Sequence, residues 1–205
     1  MSKKEDAIHI FCECTLFYPP YKYFAGYFFQ IISEILSKLF DYFQPSFRSF
    51  DTSHLDTSFA PKDAYRLLDI NLRQRYYDKE LIEESLYLAN VLKVNDEEFN
   101  VLRDLFGLNG TEREVALWFI EKYGLRMFVL TAGSSHSTIY TREEISTLPT
   151  PEVTVADTVG AGDAFSGALI ISLLKGKSLS EAHHFAVKTA AFVCTKEGAW
   201  PVYEE

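Results

Sequence analysis

Three observations predict an α/β protein, a three-layer α/β/α arrangement built on a mostly parallel sheet. From Tyr65 onward, short β-prone runs alternate with longer helical patterns, the order that strand-helix-strand units produce. Loops rich in Gly, Asn, Asp and Thr follow several of those runs directly, where ligands of such sheets sit beyond the carboxyl ends of the strands. Residues 1–60 show neither feature, and the shift in composition marks a boundary near Pro61.

Size and charge narrow the function classes. With 205 residues and 47% hydrophobic content, the chain is sized for one domain with a real core plus an appendage. A formal net charge of −9 without clustered Lys or Arg argues against a nucleic-acid partner. Three cysteines, Cys12, Cys14 and Cys194, cannot all pair within the chain, and Cys12-x-Cys14 lacks the second half of a zinc site, so a reducing cytoplasm is expected. The start has no uninterrupted apolar stretch with a small-residue cleavage site. Tyr23 to Leu36 is aromatic-rich, yet Gln30 and Glu34 interrupt it, so it is too short and polar to span a membrane; a surface-lying amphipathic segment is the alternative there.

Fifteen aromatic residues fall between Phe11 and Phe59, and Ile32, Ile35, Leu36, Leu39, Phe40 and Phe43 keep helical spacing. Residues 1–60 therefore read either as an accessory helical element or as a sequence replacing an original amino-terminal part. Beyond them, Arg66 to Ile70 predicts a strand, Asp78 to Ala89 a helix, and Val91 to Val94 a second strand. Helices are expected over Glu97 to Phe106 and Thr111 to Tyr123, the second opened by the capping pair Thr111 and Glu114. Met127 to Leu130, His136 to Tyr140 and Val153 to Val155 read as strands, and helices over Ala164 to Leu174 and Ser180 to Val193 close the chain.

The chemistry concentrates in Asp157-Thr-Val-Gly-Ala-Gly-Asp163, a loop feeding a helix. Gly160 and Gly162 admit backbone close to a ligand, and first-turn N–H groups lack intrahelical partners, so the loop makes an anion site. A carboxylate beside a phosphate pocket repels the ligand unless a cation or a reacting hydroxyl lies between. Asp163 therefore suits a base that takes a proton from an attacking alcohol; the plainer reading is a favourable charge on the helix dipole. No Gly-x-x-x-x-Gly-Lys-Ser/Thr loop occurs. Other strand ends carry Asp69-x-Asn71-x-Arg73, Asn95-Asp96-Glu97-Glu98 and Thr131-Ala132-Gly133, each of which alone is ordinary turn or capping chemistry. His183 and His184 point about 100° apart on a helix and are expected to be exposed rather than to share a metal ion. A surface position is expected for His136.

Taken together, these runs resemble the ribokinase-like, or PfkB, carbohydrate kinases, with a fructokinase-like pattern at Asp69-x-Asn71-x-Arg73. The resemblance implies a ribokinase-like fold and transfer of the ATP γ-phosphoryl to a sugar hydroxyl with Mg²⁺. It implies an anion hole at Gly160, Ala161 and Gly162 and a catalytic base at Asp163. It implies phosphate or nucleotide contacts from Asn71, Arg73, Asn95, Thr131, Gly133 and Gly198, with a polar structural role for Asp69. Glu98 would anchor Mg²⁺ through water, and Asp157 with the Val159 carbonyl would hold K⁺. The pattern departs from the family at His136, where a second loop Gly is usual, and at Val187, where many relatives place Asn near adenine.

This resemblance covers about residues 61–205, the carboxyl-terminal portion of such a domain, with the amino-terminal part and its sugar-covering sheet missing or replaced. A fructose-like acceptor is favoured. The rival reading is a non-catalytic nucleotide-binding remnant that needs a partner chain. An unpaired sheet edge would favour homodimers or aggregates.

Overall fold

The computed structural model describes residues 64–72 and 78–198, together with the backbone of a three-residue strand, Thr15–Phe17. The helical pattern expected around Ile31 to Phe43, the aromatic segment Tyr23 to Leu36, and Arg73 lie outside the described residues.

The strands are β1 (Thr15–Phe17), β2 (Tyr65–Asp69), β3 (Val91–Asn95), β4 (Met127–Ala132), β5 (His136–Tyr140) and β6 (Ile145–Pro149), adjacent in that order within one sheet. The helices are α1 (Lys79–Leu88), α2 (Asp96–Leu105), α3 (Glu112–Tyr123), α4 (Ala161–Leu174) and α5 (Leu179–Cys194). The central strands β2, β3 and β4 are parallel; α1 connects the first pair, and α2 with α3 connects the second. Antiparallel strands flank them, β1 on one side and the β5–β6 hairpin on the other.

Alternation along the strands builds the three layers. Leu68, Ile70, Leu92, Val94, Phe128 and Leu130 face α1, α2 and α3, where they meet Leu86, Leu102 and Phe119. Leu67, Val91, Met127, Val129 and Ile139 face the opposite way, against Phe165, Leu169 and Ala182 of α4 and α5. Helix α4 is buried over most of its circumference, which explains why Ala, Leu and Ile dominate it without a polar face.

One expected strand is absent. Val153 and Val155 have no ladder partner and are 37% and 58% exposed. The sixth strand is instead β6, which pairs with β5 after a turn in which the Thr141 hydroxyl accepts the Glu143 and Glu144 amides at 3.3 and 2.9 Å. Beyond β6 the chain runs instead to the end of α5, where the Ala156 amide donates to the Cys194 carbonyl at 2.8 Å.

Candidate active site

The site assembles at the carboxyl ends of β2, β3 and β4 and the amino-terminal turns of α2 and α4. Asp69 and Lys93 are register partners on adjacent parallel strands, so their side chains leave the same face, toward α4. They form an ion pair in which Lys93 Nζ donates to Asp69 Oδ2. Lys93 is 6% exposed.

Two residues further along β3, Asn95 caps α2. Its side chain accepts the Glu98 amide at 2.8 Å, and Glu98 Oε2 accepts the Asn95 amide at 2.8 Å. Glu98 Oε1 reaches back to the Leu72 amide at 2.9 Å, which fastens the chain leaving β2 to the start of α2. Burial raises the pKa of Glu98; its backbone hydrogen bonds oppose that shift, as does nearby Lys93, while Asp69 adds to it. Between Asp69 and Leu72 lies Asn71, with a φ of 42°, the one non-glycine residue in left-handed backbone among those described. Asn is among the few side chains that adopt this backbone readily, so the sequence suits the turn.

Thr131 pairs in register with Asn95 across β3 and β4, and its hydroxyl donates to the Val94 carbonyl at 3.4 Å. Gly133 follows in the β4–β5 turn with φ 50°, its carbonyl accepting the Thr150 hydroxyl at 2.9 Å. His136 starts β5, half-buried, with Nδ1 3.0 Å from the Ser135 hydroxyl.

The loop before α4 is tied to the end of α5. The amides of Ala156 and Asp157 donate to the Cys194 carbonyl at 2.8 and 3.3 Å. Asp157 accepts the Val159 amide at 3.0 Å and the Gly198 amide at 3.1 Å, and these bonds lower its pKa. Gly160, with φ 82°, then turns the chain into α4. Helices α1, α2, α3 and α5 each carry a side-chain cap, from Asp78, Asn95, Thr111 and Ser178; α4 has none. Asp163 is exposed in its first turn. Gly162 is helical, and a Cβ built on it would stand 3.3 Å from Lys93 Nζ.

Lys93 bonds Asp69 beside Gly162, Asn95 and Glu98 bond each other close enough for both charges of the Lys93–Asp69 pair to act on Glu98, and Asp157, Val159 and Gly198 form a separate group that leads into Gly160. Lys93 was hidden in the sequence by its strand: a charge inside Val91-Leu92-Lys93-Val94 was the available signal. Val187 is buried in the α4–α5 packing.

His183 corrects an expectation. It is fully buried, with Nε2 2.8 Å from the Ser137 hydroxyl and Nδ1 2.8 Å from that of Ser146. A neutral imidazole, one donor and one acceptor, matches two hydroxyls, and burial lowers its pKa to about 4. His184 on the neighbouring face is exposed, as expected.

No cluster of three or more His, Cys, Asp or Glu able to hold a metal occurs among the described residues. Glu98 has one backbone N–H on each carboxylate oxygen and a second lone pair on each, which fits a water-mediated link to a cation held mainly by phosphates.

Residues 28–204 match the family described as pfkB family carbohydrate kinase. This chain belongs to that family. The match begins ahead of the motif-bearing part of the sequence. Among curated PfkB relatives, fructokinase-1 of Oryza sativa subsp. japonica is 32% identical over 166 residues, covering 73% of this chain and 50% of its own length. Aminoimidazole riboside kinase of Salmonella typhimurium is 32% identical over 146 residues, covering 66% of this chain and 44% of its own. The ribokinase of Thermotoga maritima shares the fold at a TM-score of 0.56 and 29% identity, over 66% of this chain and 44% of that one. The chain spans half or less of the length of these curated relatives. None of the helices described in this PfkB chain is long and apolar enough to cross a membrane.

Proposed function

We propose that this chain performs ATP-dependent phosphorylation of a sugar hydroxyl, with a fructose-like acceptor. The observation that carries the reading is the amino-terminus of α4: uncapped by any side chain, turned in by left-handed Gly160, and bearing Asp163 in its first turn. Its amides at Gly160, Ala161 and Gly162 receive the transferred phosphoryl group. Asp163 takes the proton as the acceptor oxygen forms its bond to phosphorus and the bond to the ADP oxygen breaks. Asn71, Arg73, Asn95, Thr131, Gly133 and Gly198 contact the nucleotide and its phosphates. Mg²⁺ neutralises phosphate charge when bound, and Glu98 holds its water shell. Asp157 and the Val159 carbonyl serve K⁺. The fructose-like choice rests on Asp69-x-Asn71-x-Arg73, and the similarity to a rice fructokinase supports it. We place the protein in the cytoplasm.

The test is an assay of ADP release with fructose, ribose and nucleosides, run beside calorimetric titration with ATP. Turnover strongest on fructose is expected. Nucleotide binding without turnover on any acceptor would identify a non-catalytic nucleotide-binding module instead, and no binding would overturn both readings.

A further inference from the structure

We infer that Asn109, at the entrance to α3, is a site of self-modification in the folded protein: the Gly110 backbone nitrogen attacks its side-chain amide, and water converts the product to aspartate or isoaspartate. The inference stands apart from the kinase reading.

Asn109-Gly110 is the one Asn-Gly step in the sequence. Asparagine is among the chemically labile side chains, and a following glycine leaves the attacking nitrogen without a neighbouring Cβ to screen it. Both residues are exposed in the connection between α2 and α3. Hydrogen bonds fix the chain as far as Leu108 and again from Thr111. The Gly107 amide donates to the Asp104 carbonyl at 3.1 Å and the Leu108 amide to the Arg103 carbonyl at 2.8 Å, while the Thr111 amide donates to Glu114 Oε2 at 2.8 Å. In between, neither the Gly110 N–H nor the Asn109 side-chain amide has a hydrogen-bond partner among the described residues. Asn95 and Asn100 are exposed too, but they are held: Asn95 accepts the Glu98 amide at 2.8 Å, and Asn100 Nδ2 donates to the Asp96 carbonyl at 2.9 Å inside α2.

The cap of α3 makes the glycine obligatory. Gly110 has a φ of 131°, which side-chain-bearing residues rarely adopt, and a Cβ there would stand 2.7 Å from Glu114 Oε2. That carboxylate cannot yield without releasing Thr111, whose amide and hydroxyl both donate to it, at 2.8 and 3.0 Å. The geometry that closes the helix end therefore also removes the side chain that would slow the attack.

The step balances without any change of oxidation state. Gly110 N forms a bond to Asn109 Cγ, the Cγ–Nδ2 bond breaks, and Nδ2 leaves as ammonia with the proton that Gly110 N gives up. Water then opens the cyclic imide at either carbonyl, giving aspartate, or isoaspartate with the main chain routed through Cγ. Aspartate adds only a charge that the start of a helix accepts. Isoaspartate lengthens the main chain by a methylene between the anchors at Leu108 and Thr111, and this loosens the cap.

The full-length protein would be incubated in mildly alkaline buffer, folded and in parallel in urea, and its digests read by mass spectrometry for amide loss at Asn95, Asn100 and Asn109, with isoaspartate scored by enzymatic methylation. In the folded protein Asn109 is expected to lose its amide while Asn95 and Asn100 keep theirs, at a rate within about threefold of the unfolded chain, because an unbonded exposed segment needs almost no opening. Asn109→Gln, whose longer side chain would have to close a larger ring, is expected to take up no methyl label above its starting level. The isoaspartyl fraction is expected to melt below unmodified protein. Protection of Asn109 by about tenfold or more in the folded chain, amide loss first at Asn95 or Asn100, or label persisting in Asn109→Gln each overturns the site. An isoaspartyl fraction that melts with unmodified protein overturns its link to the α3 cap.

Discussion

The two faces of the sheet are packed on different terms. Toward α1, α2 and α3 the filling is large and aromatic: Phe119 and Phe128 are fully buried at a centroid distance of 5.8 Å, and Phe99 meets Phe128 edge-on at 6.1 Å. Toward α4 and α5 the helices contribute Ala168, Ala182 and Ala186, and polar groups are buried among them: Lys93, Ser137, Ser166, Ser172 and His183. Each of these has a partner. The Ser166 hydroxyl donates to the Gly162 carbonyl at 3.0 Å, that of Ser172 to Ala168 at 2.8 Å, and Ser137 meets His183. One face is therefore filled with larger side chains, several of them aromatic. The other buries hydrogen bonds as well, two of them within α4 and two holding His183 of α5 to β5 and β6.

The largest expected effect lies at the first turn of α4. Asp163→Asn should lower sugar phosphorylation ~10²–10⁴-fold with ATP affinity and melting temperature retained, as read by steady-state kinetics and calorimetry. Unchanged turnover would remove Asp163 as the base. The aromatic face should answer in the opposite sense. Phe119→Ala is expected to cost ~3–5 kcal/mol in urea unfolding while leaving nucleotide affinity of the folded protein intact. A loss of affinity without a loss of stability would break the division between faces.

Acid should find the polar face first. His183 has a folded pKa of about 4 against an ordinary value near 6.5, so between those values the unfolded chain binds a proton that the folded chain refuses. Its contribution is present above about pH 6.5, is lost progressively as pH falls to about 4, and totals about 3 kcal/mol. Urea midpoints measured across that window should fall with acidification in wild type, and His183→Gln should flatten the slope.

The smallest effects separate capping glutamates that share one local geometry. Glu98, Glu114 and Glu181 all accept the amide of their own N-cap residue, yet Glu98 is buried with a raised pKa, whereas the others are exposed with lowered ones. Glu98→Gln should raise the Mg²⁺ concentration for half-maximal activity about tenfold. Glu114→Gln should cost about 1 kcal/mol or less of stability and leave the magnesium titration where it was. Identical titrations for wild type and Glu98→Gln would count against the magnesium role.

Much of this was legible in the chain because strand and helix periods differ and the motifs fall where the periods change. The capping pair Thr111 and Glu114 and the loop from Asp157 to Asp163 announce helix starts through local chemistry alone. The misses share a different cause. Val153 and Val155 have strand propensity but no partner, since pairing is decided by which segment the preceding turn delivers. The angle between His183 and His184 was foreseen, but which of them faces the sheet depends on how α5 docks, and that is not local. Lys93 reads as one polar residue in an apolar strand until Asp69, twenty-four positions earlier, is set beside it.

Asn90 precedes β3 at the far end of the same strands, 5% exposed, and its bonds reach the starts of the two neighbouring strands, β2 and β4. Its side chain accepts the Arg66 amide and donates to the Ala64 carbonyl, both at 2.8 Å; its backbone donates to Arg66 at 2.9 Å and accepts from Arg126 at 2.7 Å. A slip of β3 by one residue would strand these groups, each buried loss costing ~1–3 kcal/mol, and would bring Leu92 or Val94 opposite Asp69. Asn90 thus works as an error check on strand pairing: a register that would set the wrong residue beside Asp69 carries its penalty at the opposite end of the sheet.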